Sequence, residues 1–373
     1  MKIRMITFHT PKNYGAVLQA YSLMSHLKTL VEDVKIIDYN TPHLRQMYPL
    51  IRKPHSLRNL IATALMLPTI WEKKKKYDKF NAFLQENLNL TKRYESFAAL
   101  QQENWQDVVF ATGSDQVFNP SRIEDEIKSF YLTFAPENHF KFSYAASFGV
   151  HEIPKDKKAC IAEYLDKFHM LSVRENSGVS IVNQLTGVAA TEVLDPVFLN
   201  EKAFWLSAAK PYPKQYENYL FYYRLMASPA SDQAARDLAN EKGLKLVVMT
   251  EGLLRFRADA VLRDVGPEEF LHLLAHADFV VTDSFHGVAF SIILEKQFVF
   301  SDVSSGTNER GLNLLEKAGI CETAYAKTYS AANKIDYETV RKKIDIFKNT
   351  SKTYLESAVA KAVSSRGESS YEN

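Results

Sequence analysis

Two α/β domains, each a doubly wound parallel sheet with helices on both faces, are what this sequence predicts. Three observations lead there. A chain of 373 residues exceeds what one hydrophobic core usually carries, so two domains are expected. Strand-length apolar runs alternate with segments of helical period along most of the chain, the pattern of βαβ units. That alternation is interrupted between Pro196 and Tyr219, where Pro196, Pro211 and Pro213 break the periodicity and Lys and Tyr become frequent. The boundary set there gives an N-terminal α/β domain over 1–200 and a C-terminal α/β domain over 201–340. Residues 341–373 form a C-terminal helix, packing back on the first domain, and a disordered polar tail from Ser364.

The elements follow in order. Lys2 to Phe8 reads as a strand, Tyr14 to Leu30 as an amphipathic helix with Val17, Leu18, Tyr21, Leu27 and Leu30 near 3.6 spacing, and Val34 to Tyr39 as a second strand. Asp107 to Ala111, Phe140 to Ser147, Met170 to Val173 and Glu192 to Leu194 are short apolar or β-branched runs separated by helical segments, which argues for a mostly parallel sheet. Beyond the break the strands are Tyr219 to Tyr223, Lys245 to Thr250, Ala260 to Val265, Phe279 to Thr282 and Phe298 to Ser301. Helices at Ser231 to Lys242, Pro267 to Ala275 and Val288 to Leu294 lie between them. Two such domains facing one another would place a cleft at the carboxyl ends of their strands, so functional residues are expected just after strands.

Composition excludes several classes. The 46 basic and 44 acidic residues nearly cancel, which removes the global electrostatic case for a nucleic-acid binder. Cys160 and Cys321 are far apart with no ligand-spaced partner, so neither a disulfide framework nor a zinc site is indicated and a reducing compartment is the natural reading. The start MKIRMITFHT has no uninterrupted apolar run of signal-peptide length, and the longest apolar stretch, Leu60 to Trp71, is too short to span a bilayer and is broken by Pro68. A cytoplasmic protein is expected. Residues 41–100, read as a basic helical insertion in the first domain, carry 11 Lys and Arg against 4 Asp and Glu, concentrated in Arg52, Lys53, Arg58 and Lys73 to Lys76. That excess is either the solvated face of a helix pair or a contact with an anionic membrane surface or a lipid diphosphate.

Four segments fall where strands end. In HTPKNYGAVLQAYSL, Asn13, Tyr14 and Gly15 form a tight turn into a helix whose first amides could face an anion. In FATGSDQVFNP an apolar strand delivers Gly113, Ser114 and Asp115, and the Asp115 carboxylate either caps the following helix or faces the cleft. In LSVREN a strand ends in Arg174 and Glu175, where the arginine pairs with its neighbour or holds a multiply charged substrate with a planar fork. In ADFVVTDSFHGVAFSIIL a strand runs into Asp283, Ser284, Phe285, His286 and Gly287 and directly into an apolar helix, which makes His286 the leading acid–base candidate. SSGTNERGLNLLEKAGI then reads as a Ser- and Gly-rich flap that supplies Arg310.

Together these segments resemble the polysaccharide pyruvyl transferases. NYGAVLQAYSL, GSDQVFN, SYAASFG, LSVRE followed by SG, VLDPVFL, FLHLLAHADFVVTDSFHGVAFSIIL and NERGLNLLEKAGI match in order over roughly residues 3 to 325. The resemblance implies a two-domain fold similar to the glycosyltransferase B class. It also implies transfer of pyruvate from phosphoenolpyruvate onto two hydroxyls of a sugar as a cyclic ketal, with release of phosphate, in bacterial surface polysaccharide (exopolysaccharide or capsule) synthesis. Asp115, Arg174 and His286 match family positions, while Ser284 stands where several members carry an arginine, so Arg310 or Arg224 is the expected substitute anchor. The resulting assignment makes His286 and Asp115 the acid–base pair. Arg174, Arg310, Ser284, Gly113 and Ser114 bind phosphoenolpyruvate, and Asn13, Tyr14, Gly15, Asp283 and Arg224 line the acceptor side. No metal and no cofactor beyond the co-substrate is expected; the partners are a sugar or lipid-linked oligosaccharide acceptor, with peripheral contact at the inner membrane face. The alternatives are a glycosyltransferase of the same architecture that uses a nucleotide-sugar, against which the helix after Gly287 offers no acidic residue, and an inactive carbohydrate-binding protein.

Overall fold

In the computed structural model, which describes residues 1–50, 67–301, 309–326 and 334–369, every strand of both main sheets pairs in parallel. The first sheet contains β1 (Lys2–Ile6), β2 (Asp33–Tyr39), β3 (Leu90–Tyr94), β4 (Val108–Thr112) and β5 (Lys141–Ser143), ordered β3-β2-β1-β4-β5. Single bridges Phe142↔Met170 and Ala146↔Val173 continue it into β6 (Leu171–Val173), which pairs with β7 (Ala190–Glu192). The second sheet contains β8 (Tyr219–Tyr223), β9 (Lys245–Met249), β10 (Ala260–Leu262), β11 (Phe279–Thr282) and β12 (Phe298–Phe300), ordered β10-β9-β8-β11-β12. The winding is the same in both: two strands are added on one side of the first, and the chain then crosses to its other side. The reversal falls between β1 and β4, with Ile6 beside Thr112, and between β8 and β11, with Tyr223 beside Thr282. At such a reversal the helices leave on opposite faces and the carboxyl ends of the two strands open a crevice.

The expected fold class is therefore present, with Tyr14–Leu30, Tyr219–Tyr223 and Phe279–Thr282 at the expected bounds. Parallel strands are covered on both faces and so read as continuous apolar runs, as VVFAT and YLFYY do, every residue of which is buried. The first core packs Phe110, Phe118, Phe130 and Phe148 around Ile6 and Val173; the second packs Leu220, Tyr222, Val248 and Val281 against Ala235 and Leu238 of the helix Pro229–Lys242.

Several boundaries differ from the sequence reading. The chain divides into one unit of Met1–Met47, Leu84–Asn200 and Ile346–Asn373 and another of Tyr48–Phe83 and Glu201–Asp345. The basic segment is thus not an insertion in the first domain: its end supplies β3 to the first sheet, while residues 48–83 belong to the second unit. Lys76 shows why. Its side chain is buried in the second unit, 2.5 Å from Glu251, and Lys79 reaches Glu269 at 2.8 Å. Of the lysine run, only Lys74 and Lys75 are exposed, and Lys74 pairs with Asp78. Arg52, Lys53 and Arg58 lie outside the described residues. The helix after β11 is Phe285–Ile293, three residues earlier than the apolar period suggested, because Ser284 caps it. The last helix, Tyr337–Ser369, takes in residues 364–369 of the tail expected to be disordered; the rest of that tail lies outside the described residues. Among the described residues no helix is long and apolar enough to cross a membrane.

Candidate active site

The carboxyl rim of the first sheet gathers polar side chains from four successive strands. Beyond β4, Gly113 takes φ +117°, and a Cβ there would lie 2.0 Å from the Tyr144 carbonyl oxygen, so glycine is required. Ser114 is fully buried. Its amide donates to Gln19 Oε1 at 3.2 Å, its hydroxyl donates to the Ala145 carbonyl at 3.1 Å, and Thr7 Oγ1 donates to its own carbonyl at 3.1 Å. The hydroxyl expected to meet a donor substrate is turned to the segment after β5, and the backbone of Ser114 joins the residues after β1 and β4. Asp115 follows at φ +69°, a region Asp tolerates. Its Oδ1 accepts from the Gln116 amide at 2.8 Å and its side chain is 24% exposed. The next helix begins only at Glu124, so of the two roles open to Asp115, the cap is excluded.

Arg174, at the end of β6, sits among three carboxylates. Nη1 donates to Asp195 Oδ2 at 2.8 Å, Nε lies 3.7 Å from Glu175 and Nη2 lies 3.8 Å from Asp115. Burial disfavours the charged guanidinium, but Asp195, then Glu175 and Asp115, outweigh it and push its pKa up. Asp195, beyond β7, is fully buried and also accepts from the Val197 amide at 3.1 Å. Glu175 accepts from Ser147 Oγ at 2.6 Å. Asp195 occupies Nη1, while Glu175 and Asp115 lie beyond hydrogen-bond reach of the guanidinium. Arg174 thus stands between Asp115 and Glu175 at the rim, where it was expected to meet the donor. Asn13 likewise builds the turn, accepting from the Ala16 amide at 3.2 Å as cap of Tyr14–Leu30, and Tyr14 and Gly15 are buried.

The second sheet repeats the arrangement. Arg224, directly after β8, is buried and forks onto Asp232 at 2.7 and 3.0 Å; burial opposes its charge, but the Asp232 carboxylate prevails and raises its pKa. The fork of the residue expected as a substitute anchor is thus turned to Asp232, with Nη1 3.5 Å from Thr250 Oγ1. Asp283, after β11, accepts from the Leu225 and Met226 amides at 2.8 and 2.7 Å and so ties the loop after β8 to the loop after β11. Burial pushes its pKa up, against those two amides and Arg224. Ser284 is buried and accepts from the Gly287 amide at 3.3 Å. His286 is half-buried in the first helical turn, edge-on to Phe285 with ring centroids 5.0 Å apart. A Cβ on Gly287 would lie 2.2 Å from Thr282 Oγ1, so glycine lets this helix start against its strand. Arg310 is half-buried in the first turn of Glu309–Ala318; residues 302–308 of the expected flap lie outside the described residues.

Sequence reading missed Asp195 and Arg263 and took Glu175 only as a neighbour that pairs with Arg174. Asp195 and Glu175 carry the signal used for the others, a polar residue just past an apolar strand. Arg263 follows β10, is half-buried, and its Nε is shielded from solvent without a hydrogen bond among the described residues. Among the described residues no group of three or more His, Cys, Asp or Glu is arranged to hold a metal ion.

Two parallel-sheet units with polar strand ends at both reversals define a doubly wound α/β architecture. Within it, the chain belongs to the polysaccharide pyruvyl transferase family, whose model matches residues 13–305, and it is accordingly a transferase. No protein of curated function matches it in sequence. Similar solved structures include UDP-GlcNAc 2-epimerase from Methanocaldococcus jannaschii (12% identity over 94% of this chain and 93% of that one, TM-score 0.44). They also include Escherichia coli heptosyltransferase WaaC with ADP (12%, 93% and 100%, 0.41) and a putative UDP-N-acetylglucosamine 2-epimerase from Listeria monocytogenes (9%, 100% and 97%, 0.48).

Proposed function

We propose that this protein transfers pyruvate from phosphoenolpyruvate to two hydroxyls of a sugar, forming a cyclic ketal and releasing phosphate. Membership of the family across residues 13–305 carries the reading. The reaction takes two protons from the diol; one ends on the methylene carbon, which becomes methyl, and one on the departing phosphate. Two C–O bonds form at the enol carbon, its double bond is lost, and its bond to the phosphate oxygen breaks. The residue types support a division of labour. His286, at a helix start, is assigned the proton delivered to the methylene carbon, and Asp115, the accessible carboxylate of the Arg174 cluster, the removal of a hydroxyl proton. Arg310, in the first turn of its helix, and Arg263, whose Nε has no hydrogen bond among the described residues, are assigned to the anionic groups of the substrates.

The test is incubation of the protein with phosphoenolpyruvate and a panel of galactosides and N-acetylmannosaminides, following inorganic phosphate. Release that depends on the acceptor and needs no nucleotide is expected. Turnover of these acceptors only with a nucleotide-sugar would make the protein a glycosyltransferase and refute the reading.

A further inference from the structure

The rim of the first sheet carries a second histidine–carboxylate pair, on the far side of β1 from Arg174. His43 lies in the short helix Pro42–Gln46 that follows β2, and Glu126 in the helix Glu124–Phe130. Glu126 is fully buried. Its Oε1 stands 2.6 Å from His43 Nδ1, while the His43 side chain is 49% exposed. A carboxylate accepts, so in the neutral ring the hydrogen sits on Nδ1 and Nε2 keeps the lone pair. Among the described residues Nε2 has no hydrogen-bond partner.

Neutralising a buried glutamate does not by itself require this histidine. Arg122 already pairs with Glu126, Nη1 to Oε2 at 3.4 Å, and its guanidinium lies 3.9 Å above the Phe8 ring. Arg122 also joins the pair to the loop after β4, because its Nε donates to the Gln116 carbonyl at 3.3 Å and the Gln116 amide donates to Asp115. Phe8 comes from the loop after β1, so residues following β1, β2 and β4 are held as one assembly. His9, after β1 on the same rim, is 1% exposed and has both ring nitrogens occupied, Nδ1 by the Thr7 carbonyl at 3.2 Å and Nε2 by Asp38 at 3.1 Å. It is closed to a substrate; His43 is open to one. An imidazole fixed by a buried carboxylate, with its other nitrogen toward solvent, is the arrangement of an oriented general base.

We propose that His43, oriented by Glu126, is a catalytic base that takes the proton of one of the two attacking sugar hydroxyls. The inference rests on the pyruvyl-transfer reading, which demands removal of two such protons and has so far assigned one base, Asp115. As the hydroxyl oxygen forms its bond to the enol carbon, its proton passes to Nε2; the imidazolium then gives that proton to the phosphate oxygen whose bond to carbon breaks. Glu126 is a positioning residue.

The experiment uses the full chain with phosphoenolpyruvate and an accepted diol. His43→Asn, whose side-chain NH2 can still donate to Glu126 but which has no base, should keep the wild-type melting temperature and phosphoenolpyruvate affinity and lose turnover by about 100-fold. His43→Ala should regain part of its turnover on addition of imidazole, and Glu126→Gln should lower kcat with KM little changed. Near wild-type turnover in His43→Asn overturns the proposal. So does a loss in both His43 variants that added imidazole does not restore. Wild-type protein silent toward phosphoenolpyruvate with every diol overturns the pyruvyl-transfer reading itself, and this inference with it.

Discussion

Replacing Arg174 with methionine separates a residue that holds the first rim together from one that holds a substrate. Methionine approximates the length of the arginine stem and removes the charge, leaving Asp195, whose side chain is fully buried, without its 2.8 Å partner. Breaking a buried pair on one side costs about 3–5 kcal/mol. Asp195 retains the Val197 amide at 3.1 Å, so the low end, about 3 kcal/mol, applies to it. Glu175 and Asp115, 13% and 24% exposed and more than 3.5 Å from the guanidinium, add about 1 kcal/mol together once solvent screening is allowed for. A total near 4 kcal/mol in a unit of this size lowers its melting temperature by roughly 8–16 °C at 2–4 °C per kcal/mol. Arg174→Lys, which can keep the contact with Asp195 but cannot fork, should lose about half as much. Thermal unfolding followed by circular dichroism at pH 7 measures both. A shift under 2 °C in Arg174→Met, accompanied by lost phosphoenolpyruvate binding, would refute the reasoning and return Arg174 to the donor.

Three further outcomes are expected. His286→Gln should bind phosphoenolpyruvate as the wild type does and lose phosphate release by about 100-fold or more, since it keeps a hydrogen-bonding side chain but cannot deliver a proton; unchanged turnover with a lower melting temperature would make His286 a packing residue. Gly113→Ala should be destabilised by more than the roughly 1–3 kcal/mol of ordinary overpacking, because its Cβ meets a backbone carbonyl at 2.0 Å and φ +117° forbids relaxation in place; soluble expression with a wild-type melting temperature would count against it. Asp283 has a folded pKa raised above its unfolded value of 3.8. Its protonated form is thus favoured by folding, and its contribution to stability is fully present below about pH 3.8 and is lost as pH rises through the raised value. The melting temperature of wild type minus that of Asp283→Asn should grow as pH is lowered from 7 toward 4; a difference that shrinks over that range contradicts the burial argument.

Much of the fold was legible because parallel strands buried on both faces must be apolar throughout, and their helices must keep a 3.6-residue stripe. Tyr219–Tyr223 and Phe279–Thr282 announce themselves in this way. LTKRY, the edge strand β3, does not: three of its five residues are polar, and it is a strand because β2 offers it a ladder. Likewise nothing local in the run Lys73 to Lys76 says that Lys76 alone is buried; Glu251, 175 residues away in sequence, decides that.

The sequence by itself determined the class of architecture, the strand ends where polar residues collect, and the family, because each is written in local period or in contiguous motifs. Only the tertiary structure decided what those residues are free to do. Arg174, Arg224, Ser114 and Asp283 look alike in sequence, polar groups at the ends of apolar strands, yet their partners Asp195, Asp232, Ala145 and Leu225 lie 8 to 58 residues away. A charge or hydroxyl that leaves water must find a partner within hydrogen-bond reach. Whether that partner is the protein or the substrate depends on which strands the fold sets side by side, and spacing along one chain does not encode that.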